Sequence, residues 1–63
     1  MEGVDVFLVT GENKNKAFAN VAIVEQIENN VRCVTPQGSE VVFKDTSIIV
    51  VDLPNKEILL QKW

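Results

Sequence analysis

The chain has 63 residues, 46% of them hydrophobic, with nine acidic side chains against six basic ones and a net charge of −3. A chain this short makes one domain at most and buries only about 60% of the surface it exposes when unfolded, which excludes two-lobed enzymes with a deep cleft between the lobes. With no histidine and one cysteine, Cys33, it also lacks the means for Ser-His or Cys-His catalysis, a His-based zinc site, an internal disulfide or a thiolate cluster.

A single thiol without a disulfide framework fits a reducing compartment. No apolar run approaches the ~18 residues of a membrane span, and Met1-Glu2-Gly3-Val4-Asp5 has no basic region of the kind that opens a signal peptide. A cytoplasmic protein that does not engage membranes is expected.

Valine and isoleucine dominate the apolar residues, and both fit a pleated strand better than a helix. Residues 5–10 read as the first strand, and Gly11-Glu12-Asn13-Lys14-Asn15-Lys16 as a polar loop. Residues 19–27 read as the second strand, 31–35 as the third and 40–44 as the fourth. Thr46–Asp52 makes the fifth and Glu57–Lys62 the sixth. In the stretch 17–28, Phe18, Val21, Ala22 and Val24 also match helical spacing. The β-branched Val21, Ile23, Val24 and Ile27, and the want of a C-terminal capping glycine, favour strand.

The turns between the strands have chemical causes. In Glu28-Asn29-Asn30 an asparagine can take the left-handed conformation of a tight hairpin. Thr35-Pro36-Gln37-Gly38 has proline second and glycine fourth, as in a type I turn, and Leu53-Pro54-Asn55-Lys56 has proline followed by an asparagine suited to positive φ. Lys44-Asp45-Thr46-Ser47 is a turn held by local side-chain hydrogen bonds. About six short antiparallel strands with such turns predict an all-β, SH3-like half-open or closed barrel, one domain over 1–63.

A half-buried strand alternates apolar and polar residues. Val6-Phe7-Leu8-Val9, Val21-Ala22-Ile23-Val24, Ile48-Ile49-Val50-Val51 and Ile58-Leu59-Leu60 do not. A barrel this small covers one face of each strand, so a homodimer is expected to cover the rest, through Ile48–Val51, Ile58–Leu60 or Val21–Val24.

Laid out this way, the chain resembles the CooT family of small proteins linked to nickel handling for carbon monoxide dehydrogenase, members of which are often labelled predicted RNA-binding proteins. The resemblance runs through Val6-Phe7-Leu8-Val9, Asn20-Val21-Ala22-Ile23-Val24-Glu25, Asn30-Val31-Arg32-Cys33-Val34-Thr35 and the strand near residues 40–43. It continues through Ile49-Val50-Val51-Asp52-Leu53 and Ile58-Leu59-Leu60. It implies a small β-barrel-like homodimer and a non-enzymatic accessory role. It also implies a nickel ligand, a cysteine directly after the initiator methionine, and here that position is Glu2. A carboxylate is a hard and weak substitute for a thiolate, so nickel is carried over to no residue, and a weak or non-metal-binding homologue is expected.

No catalytic, cofactor or metal residue is assigned. Cys33, alternating with Arg32, reads as a buried strand residue. Glu2 and Asp5 read as solvated acids, and Asp45, Thr46 and Ser47 as a turn without a base. Lys14, Lys16, Arg32, Lys44, Lys56 and Lys62 are scattered over an acidic chain, which argues against nucleic acid as a partner. Phe7, Phe18 and Phe43 sit among valines as core residues do. Trp63 either caps the barrel end or inserts into a partner. A protein–protein interaction module with an unidentified partner is the alternative function.

Overall fold

A computed structural model describes residues 3–63. The chain forms seven strands, β1 (Val4–Thr10), β2 (Asn13–Val21), β3 (Ile23–Ile27), β4 (Asn30–Val34), β5 (Glu40–Phe43), β6 (Thr46–Asp52) and β7 (Glu57–Lys62). They make a four-stranded sheet in the order β2-β1-β7-β6 and a three-stranded sheet in the order β3-β4-β5. The all-β, half-open architecture expected from the sequence is present, and the two sheets do not close into a barrel. Most neighbours are antiparallel, but β1 and β7, the first and last strands, run parallel, with Val6 beside Ile58 and Leu8 beside Leu60.

Two expectations change. Residues 13–16, expected in a loop, belong to β2, because the turn needs only Gly11 and Glu12. Gly11 sits at φ +61°, a conformation that costs glycine nothing. The lysines are tolerated there because β2 is an edge strand, where charge is the usual guard against further pairing. The single second strand over 19–27 is two strands, broken at Ala22. Asn20 takes φ 54°, and the register of β2 against β1 shifts between Val4 and Phe7. A bulge of this kind turns the chain from one sheet into the other. The helical alternative for this stretch is not realised.

The proline turns form where the sequence puts them. In the first, the Gly38 N–H donates to the Thr35 carbonyl at 2.9 Å, and in the second the Lys56 N–H donates to the Leu53 carbonyl at 3.0 Å. Positive φ falls on Glu28 and Lys56, not on the neighbouring asparagines. Asn55 instead binds Asp52 through its backbone N–H at 3.3 Å and its side-chain amide at 2.9 Å. The carbonyl of Asn29 accepts from Thr46 N–H at 2.8 Å, and the side chain of Asn30 accepts from Asp45 N–H at 3.3 Å.

The core lies between the sheets. Val6, Val21, Ile58 and Leu60 from the larger sheet meet Val31 and Cys33 from the smaller, with Val4, Leu8, Phe18, Val24, Phe43 and Ile48 packed around them. Each fully buried valine or leucine side chain contributes roughly 1.5–3 kcal/mol. With so few of them, the joint between the sheets needs other bonds. Gln26 on β3 supplies them. Its Nε2 shares its two hydrogens among the carbonyls of Thr46, Glu28 and Asn30, at 3.0, 3.0 and 3.1 Å, and its Oε1 accepts from Ile48 N–H at 3.0 Å. Toward β6, the carboxamide offers one acceptor and one donor, as a strand residue would to a neighbouring strand. It thereby stands in for a missing rung between β3 and β6.

Replacing Gln26 with leucine removes these bonds while keeping most of the volume. It should lower unfolding free energy by about 1–3 kcal/mol, the usual cost of stranding such groups. Urea denaturation checks this, and a loss under about 0.5 kcal/mol, the scatter of ordinary surface changes, would show that water replaces Gln26 without penalty.

Candidate functional site

An open cleft of about 660 Å³ is lined by Gly3, Val4, Val21, Ala22, Val24, Pro36 and Ile58. The break at Ala22 and the turn at Pro36 form part of its wall, and Ile58 and Val24 face it from opposite sheets. Val51 sits directly across the ladder from Ile58 and is 55% exposed, so the apolar surface continues from the cleft onto the edge of β6.

One end of the cleft is fastened by a small polar group. Gly3 N–H donates to Asn20 Oδ1 at 2.9 Å, and Asn20 N–H donates to Asp5 Oδ1 at 3.3 Å. A Cβ on Gly3 would stand 2.6 Å from the Val21 carbonyl oxygen, so only glycine passes so close to β2 without displacing its backbone. Lys16 Nζ lies 3.2 Å from Asp5 Oδ2. The bond from Lys16, and after it the backbone bond from Asn20, hold the Asp5 carboxyl below its ordinary pKa.

Cys33 is fully buried. Its register partners Val24 and Val41 put it on the inner face of the smaller sheet. Burial pushes its thiol pKa up, opposite to the shift a reactive or metal-binding thiol needs. Of the Glu2–Asp5 pair, Asp5 is engaged as above, and Glu2 lies outside the described residues. Among the described residues, no three Cys, Asp or Glu side chains gather as a metal would require. The turn expected over residues 44–47 is confined to Lys44 and Asp45, and Thr46 and Ser47 open β6. Thr46 Oγ1 donates to the Lys44 carbonyl at 2.8 Å, and Ser47 Oγ accepts from the indole Nε1–H of Trp63 at 2.6 Å. Trp63 N–H reaches the Asp45 carbonyl at 2.8 Å, but the side chain is still 69% exposed. Trp63 is thus tied to the end of the fold without being buried there.

Lys14, Lys16 and Arg32 are held by carboxylates. Lys14 meets Glu57 at 2.9 Å, Lys16 meets Asp5, and Arg32 bridges Glu25 at 2.6 Å and Glu40. Phe7, read above as core, lies instead on the outer face of the larger sheet. Its ring is covered by the ammonium groups of Lys14 and Lys16, 4.7 and 5.9 Å from its centroid. Aliphatic lysine stems thus cover part of the second apolar face from within the chain. What stays open is Ile23, Ile27 and Val42 on the smaller sheet, Ile49, Val50 and Val51 on β6, and Leu53 in the turn after it, each at least 44% exposed.

Sequence reasoning missed two groups, the Gln26 bridge and the Gly3–Asn20–Asp5 anchor. For the anchor a signal existed, since asparagine in the middle of an apolar run is a common marker of left-handed backbone. For Gln26 there was none, because its partners are 20 and 22 residues away.

No protein-family model matches the chain, and no curated protein matches it. Among solved structures, the fold is similar to the crystal structure described as "putative CooT from Carboxydothermus hydrogenoformans". The TM-score is 0.83 at 19% identity, covering 100% of this chain and 98% of that one. At this identity the likeness establishes the fold, and it agrees with the CooT-like pattern read from the strands.

Two predictions follow from the geometry of these residues. Cys33 should ignore a thiol reagent such as DTNB in the folded protein and react once urea unfolds it; prompt labelling of the native state would contradict its burial. Asp5, with its carboxyl held below the ordinary range when folded, adds stability that is present above the unfolded pKa and lost as pH falls through the folded one. Thermal melts from pH 7 down to pH ~2 should therefore fall less steeply for Asp5→Asn than for the parent. Identical slopes would refute the Lys16 and Asn20 contacts.

Proposed function

We propose that this protein is a non-enzymatic, cytoplasmic accessory protein of the CooT kind that works as a homodimer and binds nickel weakly or not at all. The observation that supports this reading most is the match in fold along the whole chain to a CooT-described structure. Two further features fit it. The described residues present no nucleophile with a base beside it, and their one thiol is buried, so chemistry at a side chain has no evident seat. The apolar strips along β6 and on the smaller sheet are what a chain this small leaves for another protein surface to cover.

The metal part of the proposal turns on Glu2. By the resemblance, a thiolate would stand there, and a single carboxylate holds a late first-row divalent ion far less tightly. Asp5 does not make up the difference, because Lys16 already occupies it. Nucleic acid is not proposed as a partner, since the chain is net acidic and Lys14, Lys16 and Arg32 are committed to carboxylates. The alternative, an adaptor for a different protein, is favoured by one observation. Ile23, Ile27 and Val42 lie on the smaller sheet, a surface separate from the β6 strip.

Calorimetric titration with Ni²⁺ tests the proposal. The parent protein should show no submicromolar site, and Glu2→Cys should bind at least about tenfold more tightly, the consequence of replacing a hard ligand by a soft one. A submicromolar site in the parent, or no gain on Glu2→Cys, would contradict it.

A further inference from the structure

We infer that residues 3–5 form a gate at the edge of the cleft, latched by the Asp5 carboxylate. Removing the charge at Asp5 releases this segment, and the cleft widens toward Val21 while the rest of the fold stays in place.

The start of β1 is cut off from the ladder that holds the rest of the strand. Phe7 to Thr10 pair with β2 in regular register, but the register shifts between Val6 and Phe7 and again between Val4 and Val6. Val4 keeps Val21 as its partner, and side chains supply further bonds to β2. Gly3 N–H donates to Asn20 Oδ1 at 2.9 Å, Asn20 N–H donates to Asp5 Oδ1 at 3.3 Å, and Asp5 Oδ2 meets Lys16 Nζ at 3.2 Å. These contacts act in series, since Asp5 fixes Asn20 and Asn20 fixes Gly3. Asn20 stands at φ 54°, where the backbone leaves the strand, and its N–H is satisfied by the carboxylate. On the other side, Asp5 N–H reaches the Lys56 carbonyl at 2.9 Å, in the turn before β7.

Charge decides whether the latch holds. Asp5 stands beside Glu57 across the parallel ladder, and Glu57 stands beside Asp52 on β6. Like charges side by side on neighbouring strands repel. Lys16 offsets Asp5, and Lys14 offsets Glu57 at 2.9 Å, while Asp52 is bonded to Asn55. The bonds from Lys16 and Asn20 outweigh the repulsion, because they hold the Asp5 carboxyl below its ordinary pKa. A carboxyl with a lower pKa in the closed gate favours closure above the open-gate pKa, and that preference is lost as pH falls through the closed-gate value. Behind the gate lie Val21 and Val6, 1% and 0% exposed, and Ile58 on the cleft wall. A Cβ on Gly3 would stand 2.6 Å from the Val21 carbonyl oxygen, so the closed segment lies flat on β2, and loosening at Asn20 opens a gap directly over Val21. A segment held by few bonds opens locally before the core does.

Amide hydrogen exchange near neutral pH, in the parent protein, Asp5→Ala and Asn20→Gly, reads the gate. Asp5→Ala should speed exchange of the Gly3 and Asn20 amides at least about tenfold, as the loss of a bond to a charged group implies. It should leave the Thr46 and Ile48 amides, at the far end of the fold, within about twofold of the parent. Asn20→Gly keeps the left-handed bend without steric cost and removes only the side-chain acceptor. It should therefore speed exchange at Gly3 while the amide of residue 20, still held by Asp5, stays protected. In the parent, acidification to pH ~2.5 should deprotect Gly3 and Asn20 before Ile48, once intrinsic rates are corrected for. Nile red, a neutral apolar dye, should brighten with Asp5→Ala at unchanged circular dichroism. Gly3 and Asn20 amides that do not respond to Asp5→Ala, or an Ile48 amide that speeds up as much as they do, overturn the gate. Unchanged protection of Gly3 in Asn20→Gly overturns the series of contacts. Dye emission that stays at the parent level while the gate amides exchange freely overturns the widening of the cleft.

Discussion

One carboxamide holds the two sheets in register at the edge where they are not joined by strand pairing. Gln26 gives a donor to Thr46 O and an acceptor to Ile48 N–H, and it also ties down its own hairpin through Glu28 and Asn30. A backbone rung would have required β3 and β6 to lie side by side, which would close the barrel. A side chain several ångströms long joins them at one point without such a rung. The cleft lined by Ile58 and Val24 and the exposed Val51, across the ladder from Ile58, lie where no such bridge is made.

The opposite end of the cleft is fixed by a different economy. Gly3 passes β2 at a distance no side chain could share, and Asn20, in a left-handed conformation, both marks the bend from β2 into β3 and accepts the Gly3 N–H. Asp5 joins this group and is neutralised by Lys16. Other charges are spent in the same way, on short cross-strand pairs such as Lys14 with Glu57 and Arg32 between Glu25 and Glu40. Exposed pairs of this kind add little stability each, but they keep the outer faces of a very small protein from presenting either a basic patch or an unbroken apolar one.

Much of this architecture is legible in the residues. β6 and β7 begin and end where the β-branched runs and the Pro54 turn put them, and Cys33 is buried as its alternation with Arg32 requires. What could not be read has identifiable causes. The lysines of residues 13–16 look like loop because polarity marks both loops and exposed edges. The split at Ala22 is hidden because Val21 and Ile23 are equally good strand residues on either side of it, and only the bulge at Asn20 separates them. Phe7 reads as core by its neighbours, yet the core face belongs to Val6 and Leu8, and lysine stems from the next strand cover the ring. The parallel contact of β1 with β7 and the reach of Gln26 depend on residues far apart in the chain, where local pattern carries no information. The candidate site, as a result, was only half visible: its apolar residues were recognisable, its boundaries were not.

The fold rests on Gln26 holding the start of β6 in place of a backbone rung. Amide hydrogen exchange followed residue by residue, in the parent protein and in Gln26→Leu, tests this most directly. In the parent the Thr46 and Ile48 amides should both be protected, and in Gln26→Leu the Ile48 amide should lose its protection while Thr46, held by the Asn29 carbonyl, keeps most of its own. An Ile48 amide that exchanges in the parent at the rate of an unstructured chain, or that stays protected in Gln26→Leu, would contradict the bridge.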